Sequence, residues 1–275
     1  MESFEEQLFQ QVKRHLLKSR GVDLSGYSPS FVGRAIRKRV SRADVPNYPE
    51  YIKLLMRSEE ETSELLSALS INVTEFFRDK GAFESFQANV LRPLIKGKVA
   101  GSGGIIRIWS AGCATGQETY TLTMCLSEEA KKYGVPTLPL MSVLGTDLSL
   151  HAIARAKKGI YTEEEVKGVP DSYLAEYFVK KDGKYEVSDA IHKRTRFMRE
   201  NLLDKPSSRF FDAVVCRNVM IYFSRPTHDV VMSHLHEALR VDGYLMLGRT
   251  EALIGQMRDK FEVLDQENRI LRKVA

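Results

Sequence analysis

Residues 105–120 read I-I-R-I-W-S-A-G-C-A-T-G-Q-E-T-Y. A short β-branched run, Ile105 to Trp109, breaks into Ser110-Ala111-Gly112-Cys113-Ala114-Thr115-Gly116, and a helix-like run begins near Gln117. Strand, small-residue loop and helix make the first βα turn of a doubly wound sheet, where a nucleotide-like ligand lies against exposed backbone. Side chains no larger than threonine let such a ligand approach the main chain closely. The same composition also suits an ordinary tight turn, because Gly and Ser recur wherever strands feed helices.

The ligand class narrows by comparison with known loops. A dinucleotide fingerprint requires G-x-G-x-x-G, whereas Ala111–Gly116 read A-G-C-A-T-G. A phosphate loop requires Gly-Lys-Ser/Thr, and none follows. What remains is an adenosine ligand without a pyrophosphate, with S-adenosylmethionine (SAM) the leading candidate.

Working outward, strands are predicted over 105–109, 140–146, 195–200, 212–216 and 243–248, alternating with helices over 117–132, 149–158 and 226–240. The ending K-F-E-V-L-D, Gln266-Glu267, N-R-I-L-R-K reads as strand, tight turn and strand, an antiparallel hairpin that closes the sheet edge. A mostly parallel sheet with such an ending is the SAM-methyltransferase arrangement. Residues 2–95 instead read as helical. Phe4, Leu8, Val12 and Leu16 share one helical spacing, and Tyr48–Met56, Thr62–Leu69 and Ala82–Ile95 give further segments. Between the two regions, Lys96–Gly104 is rich in Gly and Lys and reads as a linker or exposed loop.

Bulk properties exclude some classes. The 275 residues have room for one large domain or two modest ones, and there is no run of 18 apolar residues to span a membrane. M-E-S-F-E-E-Q is not a signal sequence, and Cys113, Cys125 and Cys216 lack metal-ligand spacing, so a cytoplasmic chain with reduced thiols and no metal is expected. The net charge of +5, from 41 basic and 36 acidic residues, does not by itself imply nucleic acid. Charge is nevertheless concentrated in F-V-G-R-A-I-R-K-R-V-S-R at 31–42. On a helix Val32, Ile36 and Val40 form one stripe, Arg34, Arg37, Lys38 and Arg42 the opposite face, and Arg39 the flank. Such a face is either solvated or made for an acidic partner.

Chemistry-bearing residues cluster at the predicted strand ends. Glu118 follows the first loop. Asp147 ends V-L-G-T-D, where a carboxylate can accept both ribose hydroxyls; Ser149 is better placed to cap the next helix. Asn201-Leu202 offers adenine an amide and an apolar wall, and Arg217-Asn218 follows the apolar strand D-A-V-V-C. A fifth cluster, N-V-T-E-F-F-R-D at 72–79, could face Asn72, Thr74 and Arg78 to a site over Phe76 and Phe77, or could be a helix junction.

N-V-T-E-F-F-R (72–78), W-S-A-G-C-A-T-G-Q-E-T-Y (109–120), G-T-D (145–147), C-R-N-V-M-I-Y-F (216–223) and D-G-Y-L-M-L-G-R-T-E (242–251) together resemble the CheR-type chemoreceptor glutamate O-methyltransferases over nearly the whole chain. The resemblance implies an α/β fold: a Rossmann-like SAM-dependent methyltransferase domain with a small β-subdomain insert, preceded by an all-α N-terminal domain. Boundaries are expected at 1–80 for a receptor-recognition domain, 81–104 for a connecting helix and linker, and 105–275 for the catalytic domain, with the β-subdomain at about 177–197. SAM would lie between the domains. It would touch Asn72, Thr74, Arg78, Gly112, Glu118, Asp147, Asn201, Leu202, Arg217 and Asn218, with S-adenosylhomocysteine as product. Arg78 and Tyr222 would be catalytic. Arg34, Arg37, Lys38 and Arg42 would meet the methylation helices of chemotaxis receptors in the cytoplasm.

Two departures stand out: Gln117 and Thr119 replace the family's usual Glu and Pro, and altered affinity at most is expected from them. Arg249-Thr250-Glu251 is a conservative variant of the usual ending. A compact hairpin at Asp182-Gly183 implies no dependence on a receptor pentapeptide tether. A monomer is expected, with no nucleic-acid partner and no insertion into membranes. The competing assignments are a nucleic-acid methyltransferase and a non-catalytic SAM-responsive adaptor.

Overall fold

The structure is a computed structural model and describes residues 4–69, 74–101, 104–134, 141–253 and 255–274. These residues form two compact units, one holding the N-terminal helices with Tyr222–His228, the other holding the rest.

The first unit contains α1 (Phe4–Arg20), α2 (Pro29–Arg42), α3 (Tyr48–Arg57) and α4 (Glu59–Leu69). Leu8, Val12 and Leu16 recur every four residues and are buried. Asn47 starts α3, its side chain accepting from the Glu50 N–H at 3.0 Å, and Pro49 sits in the first turn where a missing donor costs nothing. Helix α2 buries Phe31, Val32, Ala35, Ile36 and also Arg39, while Arg34, Arg37, Lys38 and Arg42 are exposed. Arg39 turns inward because acceptors await it. Its guanidinium meets Glu61 at 2.7 Å and Glu64 at 2.8 Å, and the Tyr51 hydroxyl donates to Glu61 at 2.9 Å. A buried cation is tolerable only when paired and hydrogen-bonded in this way. In the same unit, the Ser28 N–H donates to Tyr222 O at 3.0 Å, and the Tyr222 ring lies 4.7 Å from that of Phe31.

The second unit begins with α5 (Lys80–Phe86), a π-helical turn over Gln87–Leu91, and α6 (Arg92–Ala100). Pro93 accounts for the irregular turn, since its ring clashes with the carbonyl one turn earlier and it donates no N–H. The helix runs through Ala100, so most of the expected linker at 96–104 is helical. Leu94 and Ile95 anchor it in the core, and lysine is a good helix former.

The elements that follow are β1 (Ile106–Ala111), α7 (Gln117–Lys132), β2 (Met141–Asp147), α8 (Leu150–Lys158), β3 (Ile160–Tyr161), α9 (Asp171–Tyr177), β4 (Phe178–Lys181), β5 (Lys184–Val187), α10 (Asp189–His192), β6 (Thr195–Arg199), β7 (Phe211–Cys216), α11 (Arg225–Ala238), β8 (Leu239–Leu247), β9 (Phe261–Asp265) and β10 (Ile270–Lys273). The large sheet has the order β6-β2-β1-β7-β8-β10-β9. Its pairs are parallel except that β10 runs antiparallel to both neighbours. Succession reverses between β1 and β7, which is where an open α/β sheet forms its ligand crevice. Strand β7 is buried along its whole length, as expected of a strand covered on both faces. Buried hydroxyls on α7 are satisfied locally: Thr121, Thr123 and Ser127 each donate to the carbonyl four residues back at 2.8 Å.

Three boundaries differ from expectation. The terminal hairpin turns over Gln266–Arg269, not at Gln266-Glu267 alone; the Asn268 N–H bonds Asp265 at 3.0 Å and Arg269 adopts φ 53°. A two-residue hairpin turn needs positive φ at its first central residue, and in type I′ at both, which Gln and Glu disfavour. Strand β8 starts earlier than 243 because an irregularity opposite Phe211/Ala213 absorbs extra residues. The small sheet, ordered β3-β5-β4, begins at Ile160, and Thr195–Arg199 belongs to the large sheet instead. Asp182 and Gly183, at φ 49° and 71°, make the hairpin turn between β4 and β5.

His236 on α11 packs against the Phe261 ring, and burial together with Lys273 and Lys260 pushes its pKa down to about 4 from 6.5. The folded value lies below the unfolded one, so stability present above pH 6.5 is lost as pH falls towards 4. Urea midpoints across that window should drop more steeply for wild type than for His236→Gln. Parallel curves would show that this histidine does not couple protonation to folding.

Candidate active site

The site grows from the carboxyl ends of β1, β2, β7 and β8. After Ala111 the chain bends back, and the Gly112 and Cys113 N–H groups both donate to Thr146 O, at 2.8 and 2.9 Å. Gly112 adopts φ 79°, and a Cβ there would lie 2.5 Å from a Val219 methyl. Gly116 has φ 98°, where a Cβ would lie 2.9 Å from that of Ala156. Protein packing therefore demands both glycines, quite apart from any ligand approaching the main chain. The Tyr161 hydroxyl, from the small sheet, donates to Thr115 O at 2.7 Å and braces the loop from behind.

Asp147 ends β2 and holds the same loop from the other side. One carboxylate oxygen accepts from the Ala114 N–H at 2.9 Å and the other from the Ser149 N–H at 2.8 Å. Burial pushes its pKa up despite these hydrogen bonds. Ser149 is the helix cap, accepting from the Ala152 N–H at 3.2 Å. Glu118, on the first turn of α7, accepts from the Ser110 hydroxyl at 2.8 Å. Burial raises its pKa too, opposed chiefly by Arg217, whose guanidinium lies 3.8 Å away.

Arg217 is the hub of this cluster. With 1% of its side chain exposed, it meets Asp79 at 2.5 Å, donates to Arg78 O at 3.1 Å and stacks its guanidinium 5.3 Å from the Phe83 ring centre. Its Nε and the Oδ1 of Asn218 are buried without a hydrogen-bond partner among the described residues. Asn218 stands at φ 58°. Across the cluster lies Glu251, which the expected contact set omitted; its carboxylate accepts N–H groups from Asn218, Val219, Met220 and Gly248 at 2.7–3.0 Å. The sequence held a trace of it, a glutamate three residues beyond the glycine that ends an apolar strand.

Gly112, Glu118, Asp147, Arg217 and Asn218 thus gather at adjoining strand ends, and Arg78 joins them through its carbonyl and its charge near Glu118. Thr74 is half-buried; Asn72 lies outside the described residues. Leu202 is buried after β6, while the Asn201 Oδ1 accepts from the Leu203 N–H at 3.1 Å. Phe76 and Phe77 are core residues, set edge-on to Tyr161 and Tyr173. Gln117 is buried and accepts from the Thr115 hydroxyl at 2.8 Å, tightening the loop. Thr119 faces Gly145, where a Cβ would lie 2.6 Å from its hydroxyl. Tyr222, Arg34, Arg37, Lys38 and Arg42 belong to the helical unit.

These residues fit an adenosyl ligand carrying an amino acid: paired carboxylates, orphaned polar atoms on Arg217 and Asn218, and an apolar wall at Leu202. Residues 72–270 match the family described as "CheR methyltransferase, SAM binding domain", and residues 7–70 match "CheR methyltransferase, all-alpha domain". Chemotaxis protein methyltransferase 1 of Pseudomonas aeruginosa is 34% identical over 89% of this chain and 90% of its own length. The chemotaxis protein methyltransferase of Borreliella burgdorferi is 31% identical over 86% of this chain and 84% of its own. An uncharacterized 104.1 kDa protein of Rhodobacter capsulatus is 34% identical over 90% of this chain, which spans only 26% of that protein.

Proposed function

We propose, from the premise that this chain belongs to the CheR methyltransferase family, that it transfers a methyl group from SAM to glutamate side chains on chemotaxis receptors. The products are glutamate methyl esters and S-adenosylhomocysteine. The observation that carries this reading is the pair of family matches, helical then SAM-binding, run in order along the chain over a strand-end cluster of suitable chemistry.

SAM, when bound, supplies a sulfonium methyl open to in-line displacement. A glutamate carboxylate with a pKa of about 4.3 is already ionised at neutral pH, so the chain need supply no general base. Opposite charges disappear together in the transition state, and water stabilises the separated reactants more. The site therefore contributes alignment and exclusion of water. Asp147 would accept the ribose hydroxyls, and Asn201-Leu202 would meet the adenine. Glu118, Arg217, Asn218, Gly112, Thr74 and Asn72 would complete the cofactor contacts. Arg78 would hold a carboxylate, of cofactor or glutamate, and Tyr222 would orient the substrate oxygen.

The exposed cations of α2 suit the acidic methylation helices of receptors. The Lys38→Glu/Arg42→Glu double variant is expected to keep its stability within about 0.5 kcal/mol, because both sites are solvent-exposed. Its kcat/KM for receptor should fall about tenfold at low salt, with a flatter salt dependence, while SAM affinity holds. Unchanged receptor methylation would remove α2 from the substrate interface.

The two-residue β4–β5 turn at Asp182-Gly183 supports action without a pentapeptide tether, and we expect a cytoplasmic monomer. Among the described residues no helix is long and apolar enough to cross a membrane. Arg217-Asn218-Val219-Met220 stands where nucleic-acid amino-methyltransferases carry Asn/Asp-Pro-Pro-aromatic, which disfavours that alternative. The test is incubation with labelled SAM and receptor-containing membranes, followed by mild base. Volatile methanol is the expected product of a carboxyl ester; base-stable label would point to N-methylation.

A further inference from the structure

We infer that Glu251 is the positioning residue of the cofactor site: one buried carboxylate that shapes the Arg217–Met220 segment so that Arg217 and Asn218 face the ligand. The inference rests on the SAM-site reading above.

Glu251 is buried, and both its oxygens are saturated by backbone donors. Oε1 accepts from the Val219 N–H at 2.9 Å and the Met220 N–H at 2.8 Å. Oε2 accepts from the Asn218 N–H at 3.0 Å and the Gly248 N–H at 2.7 Å. The Glu251 N–H in turn donates to Gly248 O at 2.9 Å, closing the turn after β8. A single side chain thus joins the ends of β7 and β8, neighbours in the sheet.

The converging donors explain the local backbone. Three successive N–H groups aim at one anion when the chain passes from left-handed to right-handed conformation, a concavity that binds carboxylates. Asn218 supplies the left-handed step at φ 58°, which asparagine tolerates better than most residues. Gly248 is needed for a different reason, close approach: a Cβ there would lie 2.7 Å from Glu251 Oε2 and 2.9 Å from the Asn218 nitrogen. In this conformation Asn218 Oδ1 and Arg217 Nε are left buried and without a hydrogen-bond partner among the described residues. Glu251 itself has no lone pair left for a ligand, so its effect passes through its two neighbours.

Glutamine cannot replace it. Whichever way the amide turns, its NH2 faces two backbone N–H donors in place of an acceptor. The test is calorimetric titration of the intact chain with S-adenosylhomocysteine, wild type against Glu251→Gln, with hydrogen exchange at amides 218–220 and 248. For the variant we expect a Kd raised about tenfold or more, faster exchange at those four amides and unchanged exchange in β1. In methylation assays the KM for SAM should rise while kcat stays within about threefold, a split that loss of folded protein would not produce. Should Glu251→Gln not fold, Gly248→Ala wedges the same clasp with Glu251 intact and should weaken binding similarly. Unaltered ligand affinity in the folded variant, or rapid exchange of the four amides in wild type, would overturn the inference. Wild type that fails to bind S-adenosylhomocysteine would instead overturn the SAM-site reading, whatever the exchange data show.

Discussion

Arg217→Met is expected to lose about 3 kcal/mol of stability at pH 7, a fall in Tm of roughly 6–12 °C, together with most cofactor binding. Methionine matches much of the volume, so the loss is electrostatic. Removing the guanidinium strands Asp79 and, more seriously, Glu118, whose side chain is only 14% exposed and whose pKa burial already raises. Asp79, with 35% exposure, recovers part of its hydration and sets the figure at the low end of buried-pair losses. A carboxylate whose folded pKa exceeds the usual 4.5 opposes folding when ionised, and more so without Arg217. The gap between variant and wild type should therefore be closed in acid, open as pH rises through the wild-type folded value above 4.5, and grow until the variant's still higher folded value is passed. Urea unfolding at several pH values measures it. A gap independent of pH would mean that Arg217 stabilises by packing on Phe83 rather than by charge.

Asp147→Ala should be the most damaging single change to binding, with affinity for S-adenosylhomocysteine falling about 100-fold or more. Two losses combine. The ribose hydroxyls would lose a charged acceptor, and the Ala114 N–H, bonded at 2.9 Å, would lose the partner that holds the loop after β1. Global stability should change little, because deleting a carboxylate whose ionised form is penalised by burial offsets the two hydrogen bonds. Calorimetry paired with thermal unfolding separates these effects. Affinity within a few-fold of wild type would exclude the ribose-binding role.

The clustering at adjoining strand ends was legible because it depends on short stretches of chain. D-A-V-V-C reads as a buried strand by its shortness and β-branched valines, and Arg217-Asn218 directly after it then falls at the strand's end. Gln117–Lys132 was readable as a helix to the residue, since a loop of small residues precedes it and lysines close it. Less was legible where meaning depends on distant partners. Arg39 reads as a cation at the flank of a basic face, and only Glu61 and Glu64, distant in sequence, draw it inside. Ile160–Tyr161 is too short to announce a strand, and pairs only because Tyr185 and Glu186 lie beside it. Asn201 offered an amide for adenine, yet its oxygen is spent on its own turn.

Alternating strands and helices, the loop after β1 and the chemical types at each strand end were therefore determined locally, by side-chain periodicity and turn chemistry. Tertiary structure alone decided how those types are used. It made Gly112 a contact for Val219, turned Arg217 into a hub for Asp79 and Glu118, and brought Glu251 against three amides more than thirty residues back. The reason is physical. A buried polar group takes the nearest partner that the packed sheet presents, and that partner is set by strand order, which no local stretch of sequence encodes.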